Sequence, residues 1–292
     1  MTTTYTSVLG LGKPGVGDTG WGTTLNMTID MVETKLAPLY TAGISVPPAG
    51  HLFGVTLSNN VGDPTNDIDI AVGSATDATG AVMMTLASGL TKRLDANWVV
   101  GTNQGMLDTG AVANGTYHIF LIQRSDTGVE DILASTSATS PAMPTNYDYK
   151  RCIGSILRES AAIVGFVQNE NLFVRKATIL DVTVSNPGVA AVTRTVSVPT
   201  GRRVQALVRV DAVDSTGGGI AVLLSDLSQN DEAASNNNAQ TISPAANLAG
   251  VAEVTVSTNT SAQFRSRLGT SLATTTLEIR LYGWIDRRGR DA

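Results

Sequence analysis

The sequence has little of several residue types that many functions require. It contains one cysteine and two histidines, and charged residues make up only 15% of the chain. The single cysteine, Cys152, cannot form an intrachain disulfide, so the fold does not depend on an oxidising compartment. Two isolated histidines and one cysteine cannot complete a zinc site without carboxylates. We therefore expect no cofactor.

Long apolar runs are absent as well. No stretch approaches the ~20 residues needed to span a bilayer, and no basic segment followed by an apolar one opens the chain. We expect neither membrane insertion nor a signal peptide, and synthesis and folding in a cytoplasm. The arginines of the C-terminal half do not form the dense basic surface, interleaved with aromatics, that nucleic acid requires. No nucleic-acid partner is expected.

Small and β-branched residues are what the chain has in abundance, and they suit pleated sheets joined by tight turns. Short alternating segments are separated by turn signals such as Asn114-Gly115. The sequence predicts an all-β fold, with an N-terminal arm and short helix followed by two antiparallel β-sandwich or jelly-roll-like domains. The predicted regions are the arm with its helix at 1–43, a first β domain at 44–176 and a second at 177–292.

Fifteen strands are predicted from this alternation and punctuation. They lie at 51–58, 67–73, 81–86, 90–95, 116–125, 129–134, 150–158, 165–175, 179–184, 194–198, 203–212, 219–225, 252–259, 263–268 and 275–285.

The N-terminal arm is rich in glycine. Residues 10–22 hold six glycines and Pro14 around a single large aromatic, Trp21, and such a segment has no core of its own. A helix is predicted at 25–36, where apolar residues recur on one face. Three turns with one narrow stripe are marginal alone. We expect this helix to pack against copies of itself or a neighbouring subunit.

Three acids close together form the best metal candidate. Asp63, Asp67 and Asp69 lie beside Asn66 and could offer oxygen ligands to a hard cation such as calcium. The spacing is not that of an EF-hand, and no bidentate Glu follows at the required offset. Alternation with Ile68 also fits a plain strand whose acids face water.

No catalytic constellation is visible, and we expect the chain not to be an enzyme. The pair Glu130-Asp131 is interpreted as solvated hairpin residues, and nothing singles out two carboxyls for glycoside hydrolysis. His51 and His118 each sit in a strand-like apolar setting, which indicates structural histidines. Cys152 is interpreted as a small buried residue.

Aromatic residues beside polar ones suggest carbohydrate binding. The candidates are Trp98, Tyr147 and, in the polar segment 225–243, Asn237. Taken one at a time, the favoured interpretation of each aromatic is a partly buried position at a domain or subunit seam.

Three stretches resemble bacteriophage tail fibre and related virion proteins. The arm reads GKPGVGDTGWGTTLN at 12–26, the strand YKRCIGSILR at 149–158 is similar to a YxRRIGSI strand, and LYGWIDRRGR at 281–290 is similar to a terminal YGWID-RG strand. Their order brackets nearly the whole chain. The resemblance carries no catalytic residues, and the chain lacks the shaft repeats of long fibres.

The resemblance implies a virion structural protein of the fibre or spike type, usually a homotrimer. It would join other virion proteins through its arm, at Gly20, Trp21, Gly22 and Asn26, and adhere to host surface polysaccharide through its β domains. The alternatives are a capsid decoration or head/neck fibre protein without receptor binding and, less favoured, a capsule-degrading depolymerase. A depolymerase is less favoured because neither paired carboxylates nor a long β-helix repeat is seen.

Overall fold

The computed structural model describes residues 4–5, 12–13, 25, 27–32, 34–35 and 48–290. Contacts divide the chain into two compact units, Met1–Pro48 and Ala49–Ala292. Nearly all regular structure is β-strand, which confirms the predicted fold class.

The first unit contains a short antiparallel ladder and a helix. Strands β1 (Thr4–Tyr5) and β2 (Gly12–Lys13) pair with each other. Residues 25, 27–32 and 34–35 are helical, in agreement with the helix predicted at 25–36. The exposed apolar side chains on this helix are Leu25, Met27, Met31 and Val32. Much of the apolar surface of the helix therefore stays accessible in the single chain.

The second unit holds the remaining strands. In chain order they are β3 (Leu52–Gly54), β4 (Leu57–Asn59), β5 (Asp67–Ile70), β6 (Gly73–Thr76), β7 (Met83–Leu86), β8 (Leu90–Asn97), β9 (Gln104–Leu107), β10 (Gly115–Arg124), β11 (Glu130–Ser135), β12 (Tyr147–Glu159), β13 (Ala162–Ile163), β14 (Phe166–Asn169), β15 (Leu172–Ser185), β16 (Val192–Thr195), β17 (Gln205–Asp214), β18 (Ala221–Ser225), β19 (Thr241–Ile242), β20 (Gly250–Ser257), β21 (Gln263–Leu268) and β22 (Thr275–Ile285).

These strands form four sheets. The largest has the order β13-β12-β10-β11-β9-β8-β5-β4, and a three-stranded sheet has the order β3-β6-β7. The other two have the orders β14-β15-β22-β17-β20 and β16-β21-β18-β19. Pairing is antiparallel except at β9, which runs parallel to both β8 and β11.

One hydrophobic core serves all four sheets. It joins Leu57 and Ile119 of the eight-stranded sheet to Met84 of the three-stranded one, and reaches Leu281 and Phe264 of the other two. Along β22, and along most of β17, buried apolar residues alternate with less buried ones, as in a β-sandwich. A second, smaller cluster contains Phe120, Ile122, Leu133, Tyr147 and Cys152, with Trp98 and Met143 packed against it.

The two predicted β domains, 44–176 and 177–292, fall within the single unit Ala49–Ala292. The predicted boundary lies inside β15, which pairs with β14 at one end and with β22 along most of its length. The C-terminal strand β22 lies in the middle of its sheet, between β15 and β17. The chain therefore runs from one predicted domain into the other without leaving the sheet.

Some predicted strands are divided. The segment 51–58 forms β3 and β4 because the backbone turns at Gly54 and Val55, with φ values of 63° and 41°. Arg288 holds this turn by donating to the carbonyl oxygens of both residues. The segment 165–175 is a hairpin rather than one strand, with Glu170 at φ 52° in its turn.

Candidate functional site: an aromatic cleft

The side chains of Trp98 and Tyr147 meet on the eight-stranded sheet. Their ring centroids are 5.1 Å apart with the planes at 75°, an edge-to-face arrangement. They line a cleft of about 700 Å³, whose walls are Trp98, Val100, Arg124, Thr127, Val129, Pro144, Thr145 and Tyr147. The pair thus closes the smaller hydrophobic cluster on one side and faces the cleft on the other.

Backbone pairing positions the Trp98 segment. Trp98 follows the last residue of β8, and its N–H donates to Leu107 O of β9 at 2.8 Å. The Val99 N–H donates to Gly105 O at 3.1 Å, so the segment remains attached to β9 beyond the end of β8. Tyr147 begins β12 and lies opposite Arg124 of β10. The register of two strand pairs therefore brings the rings together.

A buried ion pair holds the same segment from beneath. Lys92 Nζ lies 3.0 Å from Asp131 Oδ1, and both side chains are completely buried. Lys92 also donates to the carbonyl oxygens of Val99 and Gly101, at 2.8 and 3.1 Å. Asp131 Oδ2 accepts from the Gly101 N–H at 2.9 Å. The loop carrying Trp98 is thus fixed by both partners of the pair.

Burial and attraction act in opposite directions on this pair. Burial lowers the pKa of Lys92 and raises the pKa of Asp131, while the attraction between the two charges opposes both shifts. Lys92 Nζ also lies 5.9 Å from the centre of the Trp98 ring. This distance is within the range of a cation–π contact, which adds a second link between the pair and the cleft.

Two polar atoms in the cleft walls lack a protein partner. Trp98 Nε1 and Tyr147 Oη are buried, and neither has a hydrogen-bond partner within residues 48–290. Tyr147 is only 3% exposed, and burial first, then the charge of Asp131, raise its pKa. Buried N–H and O–H groups of these residues normally find partners. The walls of the cleft thus hold two unsatisfied donors, which a ligand would reach if the side chains that cover them moved aside.

The rim of the cleft is polar. Arg124 makes a two-point ion pair with Asp126, at 2.8 and 2.7 Å, and its guanidinium lies 5.8 Å from the Tyr147 ring centre. Asn146 Nδ2 donates to Asp126 Oδ2 at 3.0 Å. The hydrogen bonds from Arg124 lower the pKa of Asp126 to about 2. Aromatic surface beside fixed amide, carboxylate and guanidinium groups is suited to binding a polyhydroxylated ligand.

The predicted glycan residues separate into two groups. Trp98 and Tyr147 come together in the cleft, whereas Asn237 is exposed in a turn between β18 and β19 and does not line it. Asn237 N–H donates to Ser235 Oγ at 3.4 Å within that turn. The proposed attachment residues Gly20, Trp21, Gly22 and Asn26 lie outside the described residues.

The three candidate metal-binding acids are engaged in different ways. Asp63 accepts from the N–H groups of Thr65 and Asn66, and Asp69 accepts from Asn60 and Thr91. Asp67 and Asp69 are half-buried and alternate with buried isoleucines in β5, which fits the plain-strand interpretation. Within the described part of the chain, no group of three or more His, Cys, Asp or Glu side chains is placed to hold a metal ion.

One interpretation of a carboxylate was wrong. Asp131 was expected to be solvated together with Glu130, but it is fully buried, because it pairs with Lys92. Only Glu130 remains partly accessible, and it accepts from Gln123 Nε2 at 2.8 Å.

One of the two histidines and the single cysteine are buried, while His51 is half-buried. His118 and Cys152 are almost completely inaccessible, at 0% and 3% exposure. His118 Nδ1 lies 3.0 Å from Ser155 Oγ, and burial, then the charge of Arg202, lower its pKa to about 4. Burial raises the pKa of Cys152 to about 11. At neutral pH both side chains are therefore uncharged.

Comparison with known proteins gives little help. No protein-family model matches the chain, and no curated protein does. One solved structure, described as "Structure of infectious bursal disease virus Gx strain", is 11% identical over 84% of this chain and 76% of that chain, with a TM-score of 0.20. A likeness of that size carries no argument about fold or function. None of the described helical residues forms a segment long and apolar enough to cross a membrane.

Proposed function

We propose that the chain is a virion structural protein of the fibre or spike type that binds a host-surface glycan through the cleft of Trp98 and Tyr147. The three stretches that resemble phage fibre proteins support the virion assignment. The cleft itself carries the binding assignment, because it joins aromatic surface to two unpartnered buried donors. Attachment to the particle is assigned to the N-terminal arm.

The N-terminal helix supports self-association. Its apolar side chains Met27 and Met31 are 56% and 64% exposed, which is unfavourable for a helix that stays alone. Three copies of the helix packed together would cover these side chains. Light scattering of the intact protein after size-exclusion chromatography should therefore give the mass of a trimer, and a monomeric mass would contradict a trimeric fibre.

The glycan proposal is tested by binding to immobilised bacterial capsular and O-antigen polysaccharides. Tyr147→Phe removes only the hydroxyl, and we expect about fivefold weaker binding, from loss of one hydrogen bond of about 1 kcal/mol. Trp98→Ala, which also removes ring surface, should weaken binding further. Tyr282→Phe is the matched control, since Tyr282 lies on β22 away from the cleft, and it should bind like the parent.

The outcomes separate the proposed function from its alternatives. Equal binding by the parent and Trp98→Ala would show that the cleft does not bind the polysaccharide. A protein that joins the particle but binds none of the polysaccharides would be a decoration or head/neck fibre protein. Release of shorter oligosaccharides from a bound polysaccharide would indicate a depolymerase instead.

A further inference from the structure

The strand β20 differs from the other edge strands of the unit Ala49–Ala292. It has eight residues, Gly250–Ser257, and forms one edge of the five-stranded sheet. Every other edge strand of the four sheets has four residues or fewer; these strands are β3, β4, β7, β13, β14, β16 and β19. Very short edge strands are one way in which proteins prevent sheets from pairing with each other. β20 lacks this protection.

The sequence of β20 supplies no other protection of its edge. It contains no lysine, arginine or proline, and its register with β17 is continuous from Gly250 to Ser257, without a bulge. Its single charged residue, Glu253, lies on the exposed face of the strand with Val251 and Thr255. Proline, bulges and charges that point inward are the features that keep edges apart. β20 therefore has the regular geometry of a strand that can accept a neighbour.

The side of β20 that faces away from β17 has free backbone groups. In an antiparallel edge strand, the N–H and C=O groups of every second residue point away from the sheet. Within residues 48–290, the backbone of Val251–Ser257 has β17 as its only backbone partner. Val251 is also 46% exposed. A neighbouring strand would satisfy these groups and cover part of this valine.

We propose that β20 pairs with β20 of a second copy of the chain, antiparallel about a two-fold axis, so that two five-stranded sheets form one continuous sheet. The strand is complementary to itself when Val254 lies on the axis. Residues 251–257 of the two copies then overlap, with Glu253 opposite Thr255 and Ala252 opposite Val256. Ala252, Val254 and Val256 are the more buried residues of the strand, so the core side of each sheet continues into the other.

Charge selects this register over its neighbour. A pair centred on Glu253 would place this carboxylate directly opposite the same carboxylate of the second copy, and like charges in that position are destabilising. The pair centred on Val254 places a neutral threonine there. The second copy is thus favoured as the occupant because the strand itself supplies an unstrained, uncharged match.

This pairing is separate from the contact proposed for the N-terminal helix and from the aromatic cleft. Two single strands in contact bury little surface compared with the roughly 1,200–2,000 Å² of stable protein interfaces. We therefore expect the pair to form at high protein concentration and to dissociate on dilution.

Sedimentation velocity of the intact chain over a wide range of protein concentration tests the proposal. The average mass at low concentration reports the assembly that the N-terminal helix forms. At high concentration, pairing through β20 should raise the average mass to at least twice that value. Hydrogen exchange in the peptide Gly250–Ser257 should become slower over the same range, which locates the contact.

Thr255→Glu and Thr255→Lys are the informative variants, because Glu253 of one copy lies opposite this exposed position of the other, twice in each pair. Thr255→Glu should weaken the association about fivefold, and Thr255→Lys should strengthen it about fivefold, from two cross-strand charge pairs. In the background of Glu253→Gln, the two substitutions should have equal effects.

Thr193→Glu and Thr193→Lys are the matched controls. Thr193 is also an exposed threonine on an edge strand, but β16 has only four residues. Both variants should associate like the parent.

The outcomes are decisive for the pairing of β20. A parent mass that does not change with concentration overturns the proposal, as does equal association by Thr255→Glu and Thr255→Lys. Slower hydrogen exchange in another edge strand, without a change in Gly250–Ser257, overturns it too. The proposed function is tested separately, by the mass at low concentration and by polysaccharide binding, which Thr255→Glu should leave unchanged.

Discussion

Two buried cations in neighbouring parts of the same unit have opposite surroundings. Lys92 is completely buried and contacts a carboxylate and two carbonyl oxygens. Arg151 is almost as buried, yet its Nε and Nη2 have no hydrogen-bond partner within the described residues. The first cation fixes a loop of the protein itself, whereas the second makes no such links through Nε or Nη2.

The difference separates a charge that holds its own chain in place from one that makes few such bonds. A buried charge whose hydrogen bonds all end on its own chain contributes to a single arrangement of that chain. A buried charge without such bonds is destabilising unless another molecule supplies them. Removing the charged partner of Lys92 should therefore lower the free energy of unfolding strongly. Removing the charge of Arg151 should lower it little.

The largest effect is expected from Asp131→Asn. This change leaves Lys92 buried without a counter-charge, and we expect a loss of about 3–5 kcal/mol in the free energy of unfolding. Denaturant unfolding measures it. Asp95→Asn is the control, because the Arg93–Asp95 pair is 48% and 31% exposed and should contribute no more than about 1 kcal/mol. Equal losses in the two variants would show that the buried Lys92–Asp131 pair matters no more for stability than the exposed Arg93–Asp95 pair.

The free energy of unfolding should depend on pH through His118, whose pKa is lowered by burial and by the charge of Arg202. The pKa of His118 is lowered from 6.5 to about 4, so the unfolded chain binds its proton first as the pH falls. The stability that depends on a neutral His118 is complete above pH 6.5. As the pH falls to 4 it is lost progressively, and the free energy of unfolding decreases by about 3 kcal/mol. His118→Gln should show a flatter pH dependence of unfolding, measured between pH 7 and 4. An unchanged slope would show that His118 carries no such penalty.

A smaller effect is expected from Gly105→Ala. A methyl group there would clash with the carbonyl oxygens of Ala96 and Asn97, directly before Trp98. We expect a loss of about 1–3 kcal/mol in unfolding free energy, together with weaker polysaccharide binding. Gly128→Ala is the comparison, since nothing lies within 4 Å of an added methyl group and only its φ of 73° opposes the change. Unaltered binding by Gly105→Ala would show that the β8–β9 contact does not position Trp98.

Alternation of apolar and polar residues carried most of the fold prediction. The strand predicted at 275–285 has those bounds in the structure, because Leu277, Ile279 and Leu281 alternate with polar residues. The strand β9 was missed, since four residues that include Gly105 give no periodic signal and its parallel pairing depends on distant neighbours. The turn at Val55 was missed because Arg288, more than 200 residues away in sequence, holds it.

The candidate site was predictable residue by residue but not as an assembly. Trp98 and Tyr147 were selected as aromatics beside polar residues, yet only strand register brings them together. Arg124 was missed because nothing in the sequence links it to either ring. One signal could have found Lys92, which stands between Leu90 and Leu94 in the apolar phase of β8, where a charged residue requires a buried partner.

The position of β22 also bears on how the protein is made. Residues 275–285 lie between β15 and β17, so each of those strands lacks its partner on that side until this segment has left the ribosome. About a hundred residues separate β15 from its partner, and such distant pairings form slowly. During synthesis the nascent chain would present two unpaired strand edges, which chaperones could recognise. Completion of the five-stranded sheet would then wait until residues 275–285 have been translated.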